Sequence, residues 1–162
     1  MSHPEATPRS APEQSRLESA LRDLFEHRIR FNELLGLTVD SLSPAGPRIR
    51  FDMRPELIGH YSYGRLHGGV TSAVLDAMGG LALMVAIGDK HRDETADQVL
   101  HRFGRVGTID LRVDYLRPGM GHRFTASARV TRMGGRIAST QMALENEAGA
   151  LIATAAAAYV VS

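Results

Sequence analysis

Asp76 is the residue whose position most needs a chemical reason. It stands inside residues 67–87, HGGVTSAVLDAMGGLALMVAI, a run that is apolar on every side of a helical wheel from Val70 onward. An unpaired carboxylate buried there costs on the order of several kcal/mol. Three readings follow: an arginine neutralises it, the wheel exposes this one position, or it is kept as a general base or nucleophile. Nine residues upstream is His67, followed by Gly68 and Gly69. Two glycines let a ligand or another backbone approach closely. The free N–H groups of a helix start, at the positive end of its dipole, attract an oxyanion, and a carbonyl held there is polarised. Asp76 lies about two and a half turns further along.

Other chemistries lack their residues. The chain has no cysteine, hence no disulfide, thiolate metal site or cysteine nucleophile. It contains no G-x-G-x-x-G, Walker, H-E-x-x-H or G-x-S-x-G motif. His60 and His67 lack a third ligand at helical spacing, and Ser72 has no evident histidine base. No metal or other cofactor is therefore expected. The net charge of +1 and the 6% aromatic content without tryptophan give no pull toward nucleic acid. Locally the balance differs. Of the 19 basic residues only Lys90 is a lysine, and from Arg112 to Arg136 six arginines accompany one acid, Asp114. Codon usage accounts for scarce lysine; a segment at +5 also suits a phosphate-bearing partner, which matches the guanidinium fork.

These residues need a scaffold, and 162 residues at 43% hydrophobic are enough for one core without staples. Residues 1–13 are polar and Pro-rich, unlike a signal peptide, and read as a disordered tail ahead of a single domain, 14–162, in the cytoplasm. Leu17, Ala20, Leu21, Leu24 and Phe25 predict an amphipathic helix over about 15–28. A short segment, 31–35, stops at Gly36. Alternating Leu37 and Val39, then Ile49, Phe51 and Met53, predict a hairpin across Pro44–Pro47. The 67–87 run has the length of a membrane span, but Asp76, Thr71, Ser72 and the Gly79-Gly80 pair argue against one. It predicts a helix surrounded by other structure. Period-two runs at 109–115 and 124–130, with strands at 135–146 and 150–161, supply that surround. The last, alanine-rich and apolar on both faces, predicts a central strand. The sum is an antiparallel sheet of five or six strands curled around one helix. Between them, Ala96, Val99, Leu100 and Phe103 predict a short helix at about 94–103, either core cover or a pocket wall.

LHGGVTSAVLDAMGG followed by GTIDLRVDYLRPG resembles the hotdog-fold acyl-CoA thioesterases of the phenylacetate-pathway (PaaI-like) type, over roughly 34–161. The resemblance implies an α+β hotdog fold. It implies a homodimer with active sites at the interface, often doubled to a homotetramer, and hydrolysis of acyl-CoA to free acid and CoA without a cofactor. Carried over by motif, Asp76 is the acid that attacks the thioester or activates water. Gly68 is the backbone donor to the carbonyl, Thr108 the hydroxyl that helps hold water, and His67 the residue that orients the turn. Tyr61 stands where many members carry Asn or Gln, so its hydroxyl or His60 would substitute. Gly69, Ser72 and Gly134 are expected at the substrate, with Arg117, Arg132 and Arg136 at the CoA phosphates. Two alternatives remain: a hotdog hydratase or dehydratase, which pairs the acid with a catalytic histidine, and a non-catalytic acyl-CoA-binding protein.

Overall fold

The computed structural model describes residues 7–162. Helix α1, Ala11–Asp23, starts where Ser10 accepts a hydrogen bond from the Glu13 N–H and Pro12 sits in the first turn. It therefore begins inside the segment expected to be a disordered tail. Arg9, just ahead of it, is anchored too. The Arg9 guanidinium donates to the carbonyl of Gly88 in the last turn of the long helix that ends at Lys90, and to those of His91 and Glu94 just beyond it. Periodicity alone does not register such a contact. The rest of the expected tail, residues 1–6, lies outside the described residues.

After α1 the chain makes a π-helical turn, Leu24–Arg28, and a short helix α2, Arg30–Leu35, which ends at Gly36 with φ 71°. Buried Asn32 ties the two together by donating to the Phe25 carbonyl at 3.1 Å.

Strands β1 (Thr38–Ser41), β2 (Arg48–Asp52), β5 (Gly107–Tyr115), β6 (Arg123–Met133), β7 (Ile137–Asn146) and β8 (Leu151–Val160) form one antiparallel sheet in the order β1-β2-β6-β7-β8-β5. A two-stranded hairpin, β3 (Ile58–His60) and β4 (Arg65–Leu66), leads into helix α3, Gly68–Lys90. Leu66 donates to the Gly119 carbonyl and His67 to that of Leu57, which fixes where α3 begins.

The sheet covers α3 on one side. Val74, Leu75, Met78 and Leu81 share a core with Ala153, Ala155 and Ala157 of β8, an interior strand whose small side chains let the helix lie close. Near its C-terminal end, Met84 and Ile87 pack in a second cluster with Leu17 and Leu21 of α1 and Val99 and Phe103 of helix α4, Ala96–Phe103. Burial on both sides explains a helix apolar all round without a membrane. A six-stranded antiparallel sheet wrapped on one long helix is the α+β hotdog arrangement. Helix α4, closed by a Thr95/Gln98 capping box, serves as core cover.

Candidate active site

Two features of α3 are candidates for the chemistry. The first is its N-terminus. His67 is the N-cap, and its Nδ1 accepts from the Gly69 N–H at 2.8 Å. The N–H groups of Val70 and Thr71 turn back to the His67 carbonyl. Of the glycine pair, then, Gly69 has spent its donor on the cap, and the Gly68 N–H has no hydrogen-bond partner among the described residues. The Tyr115 hydroxyl, at the far end of β5, donates to the Gly68 carbonyl at 2.8 Å and pins this turn to the sheet. Ser72 donates to the Gly69 carbonyl at 3.0 Å, so its proton is engaged within the helix.

The second feature is Asp76. No arginine holds it: its carboxylate Oδ1 accepts from Thr108 Oγ1 at 2.9 Å and from the Tyr159 hydroxyl at 3.2 Å, and that hydroxyl also reaches the Asp76 carbonyl at 2.9 Å. Thr108 and Tyr159 are direct cross-strand partners on β5 and β8, which is why both hydroxyls arrive on one face. A register shift between Thr108 and Asp110 adds a local bulge beside the site. Burial, and then the Asp76 charge, push the Tyr159 phenol above its ordinary value, so at neutral pH it remains a donor.

Tyr159 reaches α3 because residue 79 is glycine. A Cβ there would sit 2.2 Å from the Tyr159 hydroxyl and 3.1 Å from Thr140 Oγ1. Gly79→Ala is therefore expected to destabilise the fold by about 1–3 kcal/mol through overpacking, although alanine is the better helix former. Urea denaturation of the two proteins measures it.

Asp76 lies in the wall of a cavity of about 270 Å³. The rest of the lining is mostly apolar: Ala73, Ala77, Gly80, Leu81 and Met84 from α3, and Phe25, Ile29 and Phe31 from the N-terminal helical segment. Neither Leu100 nor Phe103 of α4 lines it, so the pocket-wall role open to residues 94–103 falls instead to residues 25–32. No histidine lines it either. His67 is committed to its cap, and His60 stacks on Tyr61 with ring centroids 5.2 Å apart. Among the described residues, then, no histidine stands beside Asp76 as a hydratase's would.

A model of the thioesterase superfamily matches residues 63–153, which spans α3 and the Asp76–Thr108–Tyr159 cluster except for its last member. The chain belongs to this superfamily. Over 147 residues this thioesterase-superfamily protein is 38% identical to the medium/long-chain acyl-CoA thioesterase YigI of Salmonella typhimurium, covering 89% of this chain and 95% of that one. The Escherichia coli K12 protein of the same name is 37% identical over the same extent. Among solved structures, a thioesterase-superfamily protein from Shewanella oneidensis superposes with a TM-score of 0.88 at 38% identity, covering 94% of this chain and all of that one. The phenylacetic acid degradation protein PaaI of Thermus thermophilus superposes at 0.64 with 25% identity, covering 82% and 99%.

The remaining expected residues are dispersed in this superfamily member. Tyr61 is 92% exposed at the tip of the β3–β4 hairpin, away from Asp76 of its own chain. Arg117 follows β5 at one end of the sheet, where its guanidinium donates to the Leu151 carbonyl. Arg132, Gly134 and Arg136 sit around the β6–β7 turn at the other end, because Met133 pairs Ala138, and Ile137 and Gly107 both pair Val160. About 25 Å of strand separates the two ends, so one protomer's Arg117 and Arg136 do not grip the same phosphate. Sequence reasoning missed Tyr159 and Tyr115. The one available signal was an isolated tyrosine in the alanine run of β8.

Proposed function

We propose that this protein hydrolyses acyl-CoA thioesters with medium to long apolar chains, with Asp76 as general base or nucleophile. The observation that carries this reading is Asp76 itself, a carboxylate held by the two hydroxyls of Thr108 and Tyr159 in the wall of a mostly apolar cavity. The hydroxyls orient the acid without cancelling its charge, and the cavity suits an acyl chain. The names of the YigI relatives support the same substrate class. The Gly68 N–H is the donor for the carbonyl oxygen, and Thr108 is placed to share a water with Asp76.

The same reading makes the protein a homodimer or homotetramer in the cytoplasm. Gly68 and Asp76 are about 12 Å apart along one helix, too far to serve a single carbonyl, so the two halves of each site come from two protomers. Strand β5 is an edge of the sheet, and Ile109, Tyr115, Leu116 and Met120 on and just beyond it are about half exposed. A long open edge with apolar side chains favours pairing with a second copy. Coenzyme A carries phosphates that Arg117, Arg132 or Arg136 would meet from different protomers.

The test is a series of acyl-CoAs from butyryl to palmitoyl with detection of the released thiol. Turnover is expected for chains long enough to fill the cavity. Tight binding of acyl-CoA without release of CoA would make the protein a binder and overturn the reading.

A further inference from the structure

The two central glycines of α3 have different reasons to be glycine. Gly79 is demanded by packing, since a Cβ would strike Tyr159. Gly80 is not: a Cβ built there meets nothing within 4 Å. A mid-helix glycine costs about 1 kcal/mol relative to alanine, and at Gly80 no neighbour requires it. What lies beside it is the cavity that also borders Asp76.

Asp76, Gly80 and Met84 recur at intervals of four residues and lie on one face of the helix. All three line the same cavity. Met84 marks its far end along α3, and it also lines a second cavity, about 420 Å³, between α1 and the C-terminal half of α3. Leu17, Leu21, Leu42 and Val85 supply the apolar part of that second space, whose rim also carries Arg9, Glu18, Arg22, Asp89 and Arg92. Met84 is thus a partition, made of the apolar side chain that changes shape most readily.

We infer that Gly80 and Met84 set the acyl-chain length this enzyme accepts. Gly80 keeps open the track that leads from the reacting carbonyl, and Met84 stops the chain or yields to let a longer one enter the second cavity. The inference rests on the thioesterase reading above. The axial rise from Asp76 to Gly80 is about 6 Å and to Met84 about 12 Å, the lengths of roughly five and ten carbons.

The experiment is the ratio of kcat/KM across butyryl-, hexanoyl-, octanoyl-, lauroyl- and palmitoyl-CoA for the wild type, Gly80→Ala, Gly80→Leu and Met84→Ala. Gly80→Leu is expected to lower the lauroyl-to-butyryl ratio by about 100-fold or more, because the whole distal chain loses its pocket. Gly80→Ala is expected to shift the ratio the same way by a smaller factor, with an unchanged or raised Tm. Met84→Ala is expected to move the preference toward palmitoyl. Because Met84→Ala acts in the opposite direction, poor folding of Gly80→Leu does not leave the inference untested. Equal proportional losses at every chain length in folded Gly80 variants, with an unmoved profile in Met84→Ala, overturn it. Failure of the underlying thioesterase reading looks different: the wild type itself releases no CoA from any member of the series.

Discussion

Asp76→Asn is expected to lower kcat by about 100-fold or more while leaving the protein folded. The magnitude is that of a lost general base. The fold survives for a reason visible in the site. The Asn side-chain carbonyl has the shape and accepting capacity to keep the hydrogen bonds that Thr108 and Tyr159 give the aspartate. No arginine partner is stranded, because the contacts to Asp76 are hydroxyls. Removing a carboxylate from a largely apolar wall is neutral or mildly stabilising, so Tm is expected to hold within about 4 °C. KM changes less than kcat, since the acyl chain binds the unaltered apolar lining. Thermal melting beside steady-state kinetics decides the matter. A folded Asn variant with near-normal kcat refutes the catalytic role, and a large drop in Tm with normal turnover per folded molecule assigns Asp76 to structure.

The elements legible before the structure were those written in a repeating pattern. Residues 67–87 are apolar all round, and they become α3, buried by the sheet on one side and by α1 and α4 on the other. The alanine-rich run at 150–161 becomes an interior strand. Asp76 stood out because it broke such a pattern. What pattern could not carry was side-chain reach across the fold. Nothing in the spacing of Thr108 and Tyr159, 51 residues apart, says that they are cross-strand partners converging on one carboxylate. The spacing in residues 94–103 left open whether that helix covers the core or walls the cavity, and it covers the core. The cavity wall comes instead from Phe25, Ile29 and Phe31, where a π-helical turn redirects the chain after α1. Arg9 shows the same limit from the other side. A Pro-rich composition reads as tail, yet the Arg9 guanidinium, just ahead of α1, meets three carbonyls in and beyond the last turn of α3. The arginine-rich run reads as one segment in the sequence, but antiparallel register sends Arg117 and Arg136 to opposite ends of one protomer's sheet.

Gly68→Pro is expected to lower kcat by about 10²–10³-fold, the scale of a lost oxyanion donor, and to do so without loosening the helix. Position 68 is the first residue of α3, where proline is favoured because its missing N–H has no intrahelical role. His67 before it already has φ −66° and ψ 135°, the extended conformation that a following proline requires. An added Cβ would rest at 3.4 Å from the Tyr115 ring, within ordinary contact. The substitution removes the N–H and sets the ring Cδ in its place, closing the donor position by both routes, and Gly68→Ala, which keeps the N–H and adds the Cβ, is the control expected to retain most activity. The pair also tests how the site is assembled. If a carbonyl sits between Gly68 of one protomer and Asp76 of another, chains carrying Gly68→Pro and chains carrying Asp76→Asn complement when co-expressed. Each mixed dimer then contains one intact site, and random mixing restores about one quarter of the wild-type sites. If both groups served the carbonyl from the same chain, every site in the mixture would lack one of them and activity would stay at the level of the separate variants. The distance of about 12 Å along α3 predicts complementation. Its absence, with mixed dimers demonstrated by differential tagging, would rule out a site shared between protomers.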